Sequence, residues 1–516
     1  MVRNRLLLLL SFFVFSLQAQ QAYYLCYFLD KPDFNLESIN PLNYLSEKSL
    51  ERRAINNVDF SESDYPVYQA YLDSLKELSI PIKVTSKWFN ASLVLLDSSQ
   101  KVRLESKPYV DSLVLVSKYL SGSNKPKVAS KLGSVVSVVG QHFINETALQ
   151  SFSERGKGVK IAVFDAGFLG LNTISEFQHL FEDGRLKSFD FLDADSNVFQ
   201  YHDHGTMVMS ILAAENTIAP NAMYELYVTE DVSIETRVEE VYWLKAAELA
   251  DSSGVNIINS SLGYSLFHNL KEEDYELTDL DGLTSIISRA ANFATSKGIT
   301  VVVSAGNDGE VADWGKLIVP ADAFDVITVG AVGHDGIKPG FSSIGPTEDN
   351  RIKPEIMALG VDVEVINKNG SKTTANGTSF SAPAVAGVSA LLLQQNKNRT
   401  REQIKERIVK SGNIYPDSNS EYGYGILDFG KLMGIPKAAS GENTYSFSIQ
   451  NDAINFVNPN KEKISIGVYS IDGKVYYQNS GIESLFVVPF PIVSTLVIVK
   501  VVSESGTDTF LLPTIR

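Results

Sequence analysis

Residues Asn376–Leu393 read NGTSFSAPAVAGVSALLL. A polar Asn-Gly precedes two serines, Ser379 and Ser381, and the chain then turns small and apolar nearly all round. That composition predicts a buried helix. Pro383 is expected in its first turn, where a missing N–H costs nothing. A helix start presents unpaired N–H groups and positive potential. A serine there has two available roles: it caps the helix, or it attacks a carbonyl whose oxyanion the N–H groups then hold.

Upstream, the chain alternates. The stretches VKIAVFD (159–165), YELYVTE (224–230), VNIINSSLG (255–263), ITVVVSAGN (299–307) and VITVGAV (326–332) are short, nearly continuous apolar runs. Helical patterns follow His204 and cover Val238–Leu249 and Thr284–Lys297. Strands of this kind alternating with helices predict βαβ units: an α/β fold with a parallel sheet covered by helices on both faces. In such sheets chemistry gathers at the carboxyl ends of the strands.

Three residues sit where that rule points. Asp165 ends the apolar run IAVF, and in isolation it reads as a turn aspartate. His204, in HDHGTMVMSILAA, lies at a helix start. With His202 it forms an H-x-H pair that suits a metal or a structural role, although no further ligand pattern completes a metal site. Ser379 alone reads as a helix cap. Their combination says more. A serine is a poor nucleophile until a base takes its proton, and the base needs an orienting carboxylate. The order here is Asp, His, Ser. An α/β-hydrolase needs its histidine after the serine, whereas the last histidine is His334, and Ser381 breaks G-x-S-x-G. Asn307, in VVVSAGNDG, offers a side-chain amide to an oxyanion, and otherwise reads as a loop residue.

The motifs IAVFDAGF, HDHGTMVMS, INSSLG, VSAGNDG and NGTSFSAPAVAG, in this order, resemble the subtilisin-like serine proteases (subtilases, peptidase family S8). The resemblance covers about 140–435. It implies that Asp165 is the charge-stabilising carboxylate, His204 the general base, Ser379 the nucleophile and Asn307 the oxyanion donor. It further implies that Ser260, Ser261, Leu262 and Gly263, with Ser304, Ala305 and Gly306, wall an extended substrate. Met207 stands where many members carry a second histidine. The implied activity is that of a serine endopeptidase on polypeptide substrates with no required cofactor. Members often bind structural calcium, but no loop here, FLDADSNVF (191–199) included, has convincing ligand spacing.

The flanks are read separately. A chain of 516 residues is expected to form two to four domains. Residues 1–19 carry Arg3 and Arg5 before an apolar run and end on a small residue, the pattern of a secretory signal peptide. Residues 20–135 are similar to the family's inhibitory propeptide, which would make the chain its own intramolecular inhibitor, and they end in the linker-like YLSGSNKPKVASKLGS. Residues 136–437 are the expected catalytic domain. Residues 438–516 turn strand-rich, with Asp472-Gly473 marking a hairpin. They are expected to form a small β-sandwich-like domain, similar to the sorting domains that engage secretion machinery in gliding, outer-membraned bacteria. A single cysteine, Cys26, rules out an internal disulfide, and a net charge of −16 argues against a nucleic-acid partner.

Overall fold

The computed structural model describes residues 21–118, 149, 152, 154–267 and 271–433. Beyond these it describes 446–450, 453–457, 463–470, 475–481, 485–489, 496–503 and 506–513. The expected signal peptide and the Ser/Gly/Lys linker lie outside the described residues. The chain divides into two compact units. One comprises residues up to Ser38 and Ser61–Asn124, the other Ile39–Phe60 and Lys125–Arg516.

The first unit is a four-stranded antiparallel sheet of β1 (Ala22–Phe28), β2 (Ile82–Ser86), β3 (Ala91–Leu96) and β4 (Val110–Lys118), in the order β2-β3-β1-β4. Helix α1 (Glu47–Ile55) belongs to the second unit, whereas α2 (Gln69–Glu77) and α3 (Ser98–Glu105) belong to the first. The expected helix at Tyr65 begins only at Gln69, because Pro66 biases the residue before it toward extended backbone. Cys26 lies in this unit's core with Phe28, Leu75, Val94 and Leu104. Burial pushes its thiol up to about 12, so it packs as an inert apolar group.

The second unit is built on a seven-stranded sheet. Its strands are β5 (Lys160–Asp165), β6 (Leu186–Asp190), β7 (Met223–Val228), β8 (Ile257–Ser260), β9 (Thr300–Ser304), β10 (Ile327–Val332) and β11 (Ile356–Leu359). Every neighbouring pair is parallel, in the order β11-β10-β9-β8-β5-β7-β6. The five strands expected from sequence are the inner ones, and each is almost wholly buried. The two edges, β6 and β11, carry weaker signals: LKSFD is half polar, and IMAL is only four residues long. The chain reverses direction across the sheet between β5 and β8, and that switch point is where an open parallel sheet leaves a crevice.

The helices are α4 (Gln178–Glu182), α5 (His204–Leu212), α6 (Val238–Ser253), α7 (Ile286–Ser296), α8 (Thr378–Gln395), α9 (Arg401–Ser411) and α10 (Phe429–Met433). A hairpin, β12 (Val363–Ile366) with β13 (Lys372–Ala375), precedes α8. Helix α8 is the buried one foreseen in NGTSFSAPAVAGVSALLL, and its side chains join a core containing Ile257, Val302, Val329 and Ile356. Among the described residues no helix is long and apolar enough to cross a membrane. The C-terminal segments form two antiparallel sheets. Strands β14 (Ser446–Gln450), β15 (Ala453–Val457) and β18 (Leu485–Pro489) make one. Strands β16 (Ile464–Ser470), β17 (Val475–Gly481), β19 (Leu496–Ser503) and β20 (Gly506–Pro513) make the other. The Asp472-Gly473 turn lies outside the described residues, but the strands flanking it pair as a hairpin would.

Candidate active site

Asp165 is the last residue of β5 and is 1% exposed, with one oxygen accepting the Ala166 N–H at 2.8 Å. His204 is the first residue of α5, and its Nδ1 lies 2.9 Å and 3.0 Å from the two Asp165 oxygens. A carboxylate only accepts, so Nδ1 carries the proton and Nε2 keeps a free lone pair. The close approach of the two elements needs Gly205. Its N–H donates to Gly167 O at 3.0 Å, and a Cβ there would sit 2.6 Å from that same oxygen. His202 is the other half of the H-x-H pair. Its Nδ1 accepts the His204 backbone N–H at 3.0 Å, so it caps the start of α5. Burial, and then the neighbouring His204, hold the His202 ring below the usual histidine range, which keeps that nitrogen available as an acceptor.

Ser379 is the second residue of α8 and is 8% exposed. Its Oγ donates to Ser261 O at 3.2 Å, and in return Ser261 Oγ donates to Ser379 O at 2.9 Å. The Phe380 ring lies 5.6 Å from the His204 ring, which puts the start of α8 against the imidazole. A Ser379–His204 hydrogen bond is not among those formed by the described residues. Pro383 lies inside the helix, one turn beyond Ser379, and not in the first turn as expected. Without an N–H it leaves the Ser379 carbonyl with no intrahelical donor, and the Ser261 hydroxyl fills that gap. Ser381 bonds away from the site, donating to Ala358 O and Leu359 O at 3.3 Å and 3.2 Å.

Asn307, exposed just beyond β9, accepts through Oδ1 from the Thr378 N–H at 3.0 Å and from Thr378 Oγ1 at 3.1 Å. Both bonds fall on the carbonyl end of the amide, which fixes its orientation and turns the NH₂ end the other way. The sequence did not reveal this anchoring by Thr378.

The two expected wall segments differ. Ser260 is the buried last residue of β8, and its Oγ accepts the Trp243 indole N–H at 3.0 Å. Ser261, Leu262 and Gly263 run on from the strand end. In the other segment Ser304 ends β9, the Ala305 N–H donates to Val329 O at 2.9 Å, and the Gly306 N–H donates to Thr378 Oγ1 at 3.2 Å. The Ala305 and Gly306 donors are therefore engaged within the fold.

The field around His204 is acidic. Burial alone would depress the imidazole, but the Asp165 charge and hydrogen bond, with Glu230 and Asp203 beyond, raise it above the usual value. Glu230, two residues past β7, is pushed up to about 8 by burial, then by Glu235 and Asp165. Sequence patterning singled out neither Glu230 nor Glu235, because an acidic loop after a strand looks solvated until the fold buries it. No group of three or more carboxylate, histidine or cysteine donors placed to hold a metal occurs among the described residues. The FLDADSNVF carboxylates are used locally: Asp193 Oδ2 accepts from the Tyr201 hydroxyl and Asp195 Oδ1 from the Asn197 N–H, while Asp190, just before the stretch, accepts from the Leu192 and Asp193 N–H groups.

A parallel sheet of this order, with a buried serine-bearing helix and an Asp-His pair at its switch point, defines the subtilisin-like α/β class. Comparison with known proteins agrees. Residues 156–425 match the peptidase S8 model described as the Subtilase family, and residues 23–131 match the peptidase S8 propeptide domain of Bacteroidota. Subtilisin NAT of Bacillus subtilis subsp. natto is 27% identical over 366 residues, covering 69% of this chain and 84% of the relative. Subtilisin of Bacillus pumilus is 30% identical over 294 residues, 55% of this chain and 94% of the relative. Among solved structures, the epidermin leader peptide processing serine protease of Staphylococcus aureus matches 82% of this chain and 100% of its own. That match is at 18% identity with a TM-score of 0.56, and it bears on fold alone. The chain belongs to the subtilase family of serine peptidases, with a family propeptide domain preceding the peptidase domain.

Proposed function

We propose that the chain is a secreted serine endopeptidase acting through Asp165, His204 and Ser379. Ser379 attacks the scissile carbonyl, and His204 Nε2 takes its proton. Asp165 holds the Nδ1 tautomer and stabilises the imidazolium. The Asn307 amide, with backbone N–H groups at the start of α8, receives the oxyanion. The imidazolium then protonates the leaving amine, and water, activated by the same nitrogen, hydrolyses the acyl-enzyme. The observation that carries this reading is the approach of both Asp165 oxygens to His204 Nδ1. For attack, the Ser379 hydroxyl rotates from Ser261 O toward the imidazole. Ser261–Gly263 offers a strand-like edge to an extended polypeptide, and Ser304–Gly306 lines the adjoining floor. The reaction proceeds without a cofactor.

Residues 1–19 would direct export and be removed. Residues 20–135 would inhibit the enzyme until cut away, leaving 136–437 as the catalytic domain and 438–516 as an accessory β domain. A role for that last domain as a secretion sorting signal is also proposed, resting on the strand motifs IGVYSIDGKVYYQ and LVIVKV.

The test is Ser379→Ala in the full chain. We expect no casein hydrolysis, no labelling by a serine-reactive fluorophosphonate and an unprocessed precursor. Normal casein hydrolysis by this variant would overturn the assignment.

A further inference from the structure

Residues 39–60 fall within the stretch that matches the propeptide domain, yet they are part of the compact unit that carries the peptidase sheet. Their helix α1 brings two arginines onto one carboxylate of α6. Arg53 Nη2 donates to Asp251 Oδ2 at 2.6 Å and its Nε to Asp251 Oδ1 at 3.3 Å, while Arg52 Nη2 donates to Asp251 Oδ1. Arg52 also donates from Nη1 to Val255 O at 2.5 Å and from Nε to Lys297 O at 3.3 Å. Exposure is 4% for Arg52, 1% for Arg53 and 0% for Asp251. Two further bonds flank the node: Ser46 N–H donates to Ser252 O at 2.9 Å, and the Arg401 N–H at the start of α9 donates to Asn56 Oδ1 at 2.9 Å. The fit is close at Gly254, the left-handed cap of α6 at φ +87°, where a Cβ would lie 2.5 Å from Lys48 Cβ.

The chemistry explains why this place holds a cationic helix. The carboxyl end of α6 presents carbonyls without intrahelical partners and negative potential. Asp251 adds a full charge, and both cations paired with it come from outside the stretch that matches the subtilase model. The location matters as much. Asp251 and Val255 precede β8, and Lys297 precedes β9, so α1 sits at the amino ends of the strands. Asp165, Ser261 and Asn307 lie at the carboxyl ends, so α1 grips the peptidase body without occupying the catalytic crevice.

We propose that residues 39–60 are a clasp that keeps the pro-segment bound to the catalytic body after the chain between them is cut, with Arg52 and Arg53 on Asp251 as its lock. This rests on the maturation reading above. A second attachment on a tethered or freshly cut segment acts through effective concentration, so losing it speeds release without altering any contact at the reacting groups.

The experiment separates the two readings by using the Ser379→Ala full chain with a recognition site for an unrelated protease placed in the 121–134 linker. After cutting, co-elution of the pro-fragment with the body is followed by size exclusion, and amide exchange over Glu47–Ile55 by mass spectrometry. We expect the fragment to remain bound with those amides protected. In Arg52→Ala/Arg53→Ala, release should be faster by about 30-fold or more, the usual consequence of truncating one side of a buried charge pair. Asp251→Asn should speed release from the body side. Exchange over Glu47–Ile55 rising on cutting, or variants releasing at the parent rate, would overturn the clasp. If the variants do not fold, the exchange result on the parent chain decides alone. Failure of the wild-type chain to process itself would instead count against the maturation reading.

Discussion

Ser261 and Ser379 exchange hydrogen bonds, each hydroxyl donating to the other's carbonyl, at 2.9 Å and 3.2 Å. One half of this exchange exists because Pro383 withholds the N–H that would otherwise bond the Ser379 carbonyl. Ser261→Ala removes the replacement donor and leaves a buried carbonyl unpaired. We expect a loss of about 1–3 kcal/mol in unfolding free energy, read as a lower urea midpoint. A fall in kcat should accompany it, because the backbone at the nucleophile loses a tether. A variant as stable as the parent would mean that the Ser379 carbonyl finds another donor.

Asn307 can be tested without disturbing α8. Asn307→Asp keeps an oxygen for the Thr378 N–H and hydroxyl but loses the NH₂ that faces away from them. We expect kcat to fall on the order of 10²–10³-fold, with KM and the urea midpoint little changed. That magnitude is subtilisin's own, not one obtained from this geometry. An equal loss of stability and activity would show that the residue serves the helix start only.

Glu230 stands close enough to Asp165 and His204 to be felt by both. Its carboxyl, raised to about 8 by burial and its acidic neighbours, keeps its proton across the acid limb and adds negative charge beside the imidazole only above that range. Glu230→Gln, neutral at every pH, should therefore leave the acid limb of the kcat/KM profile below neutrality in place. The parent's limb should lie above the ordinary histidine value, since His204 is raised overall. A limb that moves to lower pH in the variant would mean that Glu230 is ionised beside His204 below neutrality.

Much of this site was legible in the sequence because its chemistry recurs at strand ends. Asp165, Asn307 and Ser261 each follow a run of buried apolar residues, and such runs are unmistakable. What could not be read was anything set by packing between distant segments. Pro383 reads from sequence as a first-turn residue, whereas α8 begins at Thr378 and places it in the second turn. His202 left a metal pair open until the fold showed its Nδ1 capping α5. The Arg52-Arg53 pair lies on α1. Its meaning depends on a carboxylate about two hundred positions away, and no local pattern carries that distance.

Glu240, on α6 and fully buried, gives a prediction about the whole domain. Its Oε1 accepts from the Tyr275 hydroxyl at 2.6 Å and its Oε2 from the Ile287 N–H at 3.0 Å. Burial nevertheless outweighs these bonds and pushes the carboxyl up from 4.5 to about 7. Between those two values the folded chain keeps the proton while the unfolded chain has lost it. The stabilising contribution is therefore complete below pH 4.5 and is lost as pH rises to about 7, so stability should fall across that window. For this one group the change is on the order of 3 kcal/mol. Glu235, raised to about 7, and Glu230, raised to about 8, push in the same direction. The measurement is the urea midpoint of the Ser379→Ala chain, which cannot digest itself, from pH 5 to 8. Glu240→Gln stays neutral and should flatten the decline, gaining on its parent as pH rises. Parallel curves for the two chains would mean that Glu240 ionises normally in the folded protein.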